Sequence, residues 1–226
     1  MRAGVEGPRY RNTRMNRHVL RRLGAVVLVL LPFAVFAQEL PRPKEFYFEA
    51  DAEVVRPLQL YPGDDDATVE RLLKARERGR RGDATLAAAQ LARIAYASGR
   101  VDTGAALYAE AGSRVDGGRM RDALHWNHGW DRYRSGDVAG ALEQWRMAGG
   151  ERLKGPSWLP PTLALGLWQL DRRAEAVSWY AAAVRTEPRL WQSPDLAQLL
   201  PEWAEADRAI LGEVAAAWRA NPPSWP

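Results

Sequence analysis

Residues 135–148 read SGDVAGALEQWRMA, a turn followed by a helical pattern. Within it Ala141, Trp145 and Ala148 are four and three residues apart, a spacing that places all three on one face of an α-helix. This signature of a small residue, an aromatic and an alanine occurs three times in the chain. Its members are Gly104, Tyr108 and Ala111 in the first stretch, Ala141, Trp145 and Ala148 in the second, and Ala176, Tyr180 and Ala183 in the third.

The three signatures recur with a nearly constant period. Their final alanines are 37 and 35 residues apart, and a period of about 20–50 residues indicates a repeat architecture. A second helical stretch precedes each signature. The turns between the two stretches are ASGR at 97–100, SGDV at 135–138 and LDRR at 170–173. Each repeat is therefore predicted to be a helical hairpin.

This repeat resembles the tetratricopeptide repeat (TPR), a helical hairpin of about 34 residues with small residues where its helices cross. The resemblance covers roughly residues 84–188. It is weaker in the first repeat, where Gly104 replaces alanine inside a helix at a propensity cost of about 1 kcal/mol. The resemblance implies an all-α fold, a short superhelical solenoid of about three TPR-like hairpins. Helices at its N- and C-terminal ends would cap it, because a terminal hairpin otherwise exposes an apolar face.

Four segments follow from these patterns. Residues 1–37 are predicted to be a signal peptide, 38–66 an extended arm or linker, 67–220 the TPR-like domain and 221–226 a tail. The arm is rich in proline and has no helical period. Its aromatic cluster, residues 46–48, could occupy the concave face of the repeats as an internal ligand. If so, deleting the arm would increase partner binding.

The first 37 residues have the three parts of an export signal. A basic stretch ends at Arg22, an apolar run of 14 residues follows (LGAVVLVLLPFAVF, 23–36), and Val35 and Ala37 are the small residues before a cut. Cleavage after Ala37 would release a periplasmic or secreted protein. The basic stretch is long for a signal, which favours a true start at Met15. The alternative is an uncleaved segment that anchors the chain in the inner membrane.

The charge distribution argues against a nucleic-acid partner. The formal net charge of the 226 residues is +4, but residues 1–37 carry seven arginines and one acid, which leaves −2 for the rest. A nucleic-acid binder gathers basic side chains over the phosphates, whereas this body intersperses both signs. The sequence contains no cysteine, so disulfides, thiolate nucleophiles and cysteine-ligated metals are excluded within it.

The TPR resemblance also implies a binding surface, because the first helix of each hairpin lines the concave face in that family. Large aromatic side chains supply much contact area and are enriched in binding hot spots. The implied groove would therefore hold a peptide or protein segment. Its residues are Arg93, Tyr96, Trp126, Asn127, Trp130, Tyr133, Arg134, Trp158, Trp168 and Gln169. Trp145 and Trp179, on second helices, are predicted to lie in the core.

No catalytic motif accompanies this surface. The sequence has no nucleophile elbow, phosphate loop, dinucleotide fingerprint or zinc-protease helix. His125 and His128 lie three residues apart, but without a third ligand or any cysteine a packing role is favoured over a metal site. The sequence thus predicts a non-enzymatic adaptor or scaffold in the bacterial cell envelope, without cofactor or metal.

Two other functions remain open at this stage. Exposed tryptophans can stack on sugar rings, so Trp126, Trp130 and Trp168 could form a glycan or small-ligand module. Alternatively, residues 16–36 could anchor the chain as a membrane-tethered subunit of an envelope complex, with its helices as an oligomer interface.

Overall fold

The computed structural model describes Leu40, residues 54–149 and residues 157–224. These residues form helices and no strand, so the all-α prediction is confirmed for them. None of their helices has both the length and the apolar composition needed to cross a membrane. The helices are α1 (Asp66–Arg78), α2 (Arg81–Ala97), α3 (Val101–Ser113), α4 (Gly118–Arg134), α5 (Val138–Gly149), α6 (Leu159–Gln169), α7 (Arg173–Thr186), α8 (Pro188–Trp191), α9 (Leu196–Leu199) and α10 (Glu205–Ala220).

The helices pack in neighbouring pairs. The most extensive pairs are α2 with α3, α4 with α5, and α6 with α7, which correspond to the three predicted hairpins. Successive pairs are joined by contacts of α2 and α3 with α4, and of α5 with α6. At the ends, α1 packs on α2, and α10 packs on α6 and α7. The first helices of the first two pairs, α2 and α4, therefore lie side by side.

Glycines stand where large side chains cross a neighbouring helix. A Cβ atom on Gly129 would lie 2.3 Å from Nε1 of Trp145, which is fully buried at 0% exposure. A Cβ atom on Gly104 would lie 2.4 Å from Cδ2 of Tyr96. Close packing explains why Gly104 is tolerated inside α3 despite its low helix propensity. Trp145 and Trp179 are both buried, as predicted.

Side-chain hydrogen bonds hold the chain at the start of the first helix and before the last one. Helix α1 begins at Asp66, where the carboxylate of Asp65 accepts a hydrogen bond from the Thr68 N–H at 2.7 Å and caps the helix. This hydrogen bond lowers the pKa of Asp65. Helix α10 begins at Glu205, four residues after Pro201. The turn before it is held by the Arg208 guanidinium, which donates to the carbonyls of residues 200 and 203.

Residues 54–65 of the predicted arm form neither helix nor strand and are anchored by their apolar side chains. Val54 packs in the cluster around Trp145, and Leu58 packs in a cluster between α2 and α4. Leu60 packs against a cluster formed by Leu72, Ala87 and Leu91. The predictions for residues 1–37 and for the aromatic cluster at 46–48 lie outside the described residues.

Candidate protein-binding groove

Asn127 holds the backbone of the arm against α4. Its Oδ1 accepts a hydrogen bond from the Leu58 N–H at 3.2 Å, and its Nδ2 donates to the Arg56 carbonyl at 3.0 Å. Carbonyl and N–H groups two residues apart point the same way in an extended chain, so one side-chain amide can pair with both. Asn127 therefore binds the backbone of the arm through both the oxygen and the nitrogen of its side-chain amide.

Gln90 on α2 binds the next stretch of the arm, where the backbone bends at residues 60–62. Its Oε1 accepts from the N–H groups of Leu60 at 2.8 Å and Tyr61 at 3.1 Å. Its Nε2 donates to the carbonyls of Tyr61 at 2.7 Å and Gly63 at 3.1 Å. The side chain is fully buried at 0% exposure. A buried amide with all these bonds made is a strong anchor, because losing them would strand buried polar groups.

The two amides occupy equivalent repeat positions. Gln90 and Asn127 are 37 residues apart, the same interval as the signature alanines of their hairpins, and the next equivalent position, 35 residues on, is Thr162 of α6. Thr162 is buried but donates its hydroxyl to the Trp158 carbonyl of its own helix at 2.7 Å. Gln90 and Asn127, in the first two repeats, thus bind the arm, whereas the Thr162 hydroxyl in the third repeat bonds to its own helix.

A cavity of about 940 Å³ opens beside the N-terminal end of the described arm. Pockets for drug-sized ligands span about 300–1,000 Å³, so this one is large enough for several residues of an extended peptide. Its walls come from the arm, from α2, α4 and the start of α6, and from the segment between α7 and α10. Five of the lining residues are tryptophans, namely Trp126, Trp130, Trp158, Trp191 and Trp203.

The tryptophans differ in what they offer a ligand. Trp126 and Trp130 are only 5% and 7% exposed, so neither presents an open ring face for a sugar to stack on. Trp158 lies 4.3 Å from Trp126 between ring centroids, and Trp203 lies edge-on to Trp130 at 5.0 Å. Trp158 and Trp203 are half-buried. The rings that a ligand could reach are therefore these outer two, supported from behind by buried ones.

Charged side chains of both signs line the same cavity. On the side of the arm, α2 and α4 are Arg56, Arg93, Arg134 and Asp131. The side formed by residues 187–207 contributes only acids, Glu187, Glu202 and Asp207. The two sides therefore carry opposite net charge.

Six of the ten predicted groove residues line this cavity: Arg93, Trp126, Asn127, Trp130, Arg134 and Trp158. The other four, Tyr96, Tyr133, Trp168 and Gln169, are not among its lining residues. Each of them is engaged by a neighbouring helix instead.

Tyr96 belongs to a buried network between the first two hairpins. Its hydroxyl lies 3.0 Å from Nε2 of His128, and the His128 ring stacks on Tyr108 at 4.4 Å. The Tyr108 hydroxyl donates to Asp131 at 2.6 Å. Burial, followed by the nearby Arg132, lowers the pKa of His128 to about 4. His128 is therefore neutral at physiological pH, in keeping with a packing role.

The three remaining residues lie at the C-terminal ends of α4 and α6. The Tyr133 hydroxyl donates to Asp207 at 2.8 Å and accepts from Gln169. Burial and the Asp207 carboxylate raise the pKa of Tyr133. The Trp168 indole donates to Glu213 at 2.8 Å, and the Arg173 guanidinium lies 3.9 Å above its ring. These side chains tie α10 to the helical pairs.

The part of the chain that the structure describes has no group of three or more potential metal ligands. Nδ1 of His125 lies 3.0 Å from Oε1 of Gln144, and Nε2 of His128 lies 3.0 Å from the Tyr96 hydroxyl.

Sequence reasoning missed three residues that matter here. Gln90 could have been found, because it lies one repeat interval before Asn127. Trp191 and Trp203 could not, because they follow the last repeat and no periodicity assigns them a position.

Comparison with protein-family models, curated proteins and solved structures gave no match.

Proposed function

We propose that this chain is a non-enzymatic interaction module that holds an extended segment of a partner protein in the cavity between α4, α6 and the segment before α10. The observation that carries the proposal is the arm itself. Asn127 and Gln90 already bind the non-helical backbone of the arm on the first helices of two hairpins. The 940 Å³ cavity continues that surface beside the end of the arm.

The proposal includes a TPR-like solenoid as the framework. The three pairs of helices, the glycines at their crossings and the equivalent positions of Gln90, Asn127 and Thr162 support it. In such an array the first helices line a continuous concave surface. The binding surface would then be shared between the arm, held on α2 and α4, and the partner, in the cavity between α4, the start of α6 and residues 187–207.

The cell envelope is the proposed location, with residues 1–37 removed as a signal peptide. Mass spectrometry of the N-terminal peptide of the protein purified from its native cells tests this point. A mature N-terminus at Gln38 would support export and cleavage, and an intact N-terminus would favour the membrane-anchored alternative.

Site-specific photocrosslinking tests the binding function, because the sequence contains no natural cysteine. Leu190 lines the cavity and is 44% exposed, whereas Gln192 is exposed two residues on but does not line it. Each would be replaced by cysteine, labelled with a benzophenone maleimide and irradiated in envelope extract. We expect Leu190→Cys to capture a discrete protein and Gln192→Cys not to capture it. Equal capture by both variants, or none by either, would contradict the proposal.

A cavity variant gives a second test of the same function. Trp203→Ala removes a half-buried ring of the wall, and Trp168→Ala removes a half-buried ring outside the cavity. With both variants shown to be folded by circular dichroism, Trp203→Ala should abolish the crosslink from Leu190→Cys and Trp168→Ala should leave it intact.

A further inference from the structure

Resting on the proposed function, we propose that the cavity selects an extended segment carrying both an acidic and a basic side chain. The acidic group would face the arm, α2 and α4, and the basic group would face residues 187–207. The opposed charges of the two walls carry this inference.

The arm side of the cavity has an unsatisfied positive charge. Arg93 is half-buried and makes no hydrogen bond or ion pair with a described residue. The Arg56 side chain likewise has none, and Nη1 of Arg134 lies 3.8 Å from Oδ1 of Asp131, a long ion pair. One acid, Asp131, faces three arginines. A guanidinium partly removed from water gains most from a carboxylate, which it can bind through two parallel hydrogen bonds.

Asp131 does not cancel the preference of the arm side of the cavity for a ligand carboxylate. It is 6% exposed, and its Oδ2 accepts the Tyr108 hydroxyl at 2.6 Å. The carboxylate is thus turned into the network between the hairpins, and its single charge is spread over Arg134 and Arg93. A ligand carboxylate at Arg93 would still meet a net positive wall.

The opposite wall has an unsatisfied negative charge. Glu187 and Glu202 make no side-chain hydrogen bond or ion pair with a described residue, and only one oxygen of Asp207 is engaged, by Tyr133. Arg208 is close in sequence but donates to backbone carbonyls and does not line the cavity. The rings of Trp158 and Trp203 lie in the same cavity and favour a ligand cation over their faces.

A degenerate library of decapeptides tests the inference on the full chain. Four pools would be compared, and each would contain one fixed pair of residues placed at every possible separation along the peptide. The pairs are Asp with Arg in both orders, Asp with Asp, Arg with Arg, and Asn with Gln. Exposed ion pairs contribute modestly, so we expect the mixed-charge pool to be retained about three- to fivefold better than the others at low salt. The advantage should disappear near 1 M salt, where the Debye length is about 3 Å.

Charge-reversed variants assign the preference to the walls. Arg93→Glu removes the net positive charge of the arm wall, and Glu202→Lys removes most of the net negative charge of the opposite wall. Each variant should therefore lower the retention of the mixed-charge pool toward that of the other pools. Arg93→Gln provides the arm-side test if Arg93→Glu fails to fold. Matched controls on α1, Arg78→Glu and Glu77→Lys, reverse exposed charges outside the cavity and should change nothing.

The outcomes separate this inference from the proposed function. Retention of all pools equally, or variants that leave the preference unchanged, would overturn the charge selection while peptide binding stands. Retention of no pool above that seen with heat-unfolded chain would overturn both.

Discussion

The first two hairpins and the third use the same repeat positions in different ways. In the first two, Gln90 and Asn127 are committed to the protein's own arm, which is anchored by buried side chains in the core. In the third, Thr162 bonds to its own helix, and the surface beside it opens into the tryptophan-lined cavity. Under the proposed function, the arm therefore covers part of the surface of α2 and α4, and ligand binding is confined to the cavity beside it.

The arm is structural in this account, and removing its main anchor should have the largest effect. Gln90→Ala removes four hydrogen bonds to the arm backbone, each contributing about 1 kcal/mol. We expect the free energy of unfolding, measured in urea, to fall by about 3–4 kcal/mol. The control Gln198→Ala removes an exposed glutamine of α9 and should change it by less than about 0.5 kcal/mol. A loss no larger than that of the control would mean that the arm is not anchored on α2.

Acid should weaken the first two hairpins through His128, whereas the third has Leu163 at the equivalent position. The folded pKa of about 4 lies below the ordinary value of 6.5, so the unfolded chain binds the proton more readily between these values. Stability is therefore complete above pH 6.5 and falls as the pH drops toward 4, by roughly 2–3 kcal/mol.

His128→Phe should remove this pH dependence while keeping a ring against Tyr108. Burial raises the pKa of Asp131, so its contribution has the opposite sign. The difference between wild type and variant, measured by urea unfolding from pH 7 to 4, isolates the histidine. Parallel pH profiles for the two proteins would contradict this assignment.

Close packing of the first hairpin should override helix propensity. Gly104→Ala gains about 1 kcal/mol of propensity, yet the new Cβ would meet the buried Tyr96 ring at 2.4 Å. We expect a net loss of about 2 kcal/mol from overpacking. Gly112→Ala on the same helix has nothing within 4 Å of its Cβ and should be neutral or stabilising by up to about 1 kcal/mol. The prediction fails if both substitutions stabilise the fold.

The smallest effects compare equivalent positions directly. Asn127→Ala removes two hydrogen bonds to the arm and should cost about 1–2 kcal/mol. Thr162→Val removes only a bond within its own helix and should cost less than about 1 kcal/mol. If thermal unfolding showed the same loss of stability for both substitutions, Asn127 and Thr162 would not differ in their contribution to holding the arm.

Periodicity made the helical pairs predictable, because the signature spacing fixes which faces are buried. It placed Trp145 and Trp179 in the core correctly. It could not show that Trp126 and Trp130 are nearly covered, since part of their covering comes from Trp158 and Trp203, outside their own hairpin. Nor could it foresee that Tyr133 and Trp168 bond to α10, because contacts with a non-repeated helix carry no period.

The arm illustrates the same limit. Its prolines and lack of helical period predict an extended segment, but the side chains that hold it are known only from the fold. Residues 58–61 lie against α2 and α4 because two amides there match the spacing of backbone groups. That match depends on the helices being side by side, which is a tertiary property.

Hydrogen exchange of the full chain, with and without the mixed-charge peptide pool, tests the division of the groove most directly. We predict that the amides of Leu58, Leu60 and Tyr61 exchange slowly in both conditions, and that exchange at residues 199–204 slows only when peptide is present. Arm amides that exchange as fast as an unstructured peptide, or that speed up when peptide is added, would show that the arm does not fill the groove permanently.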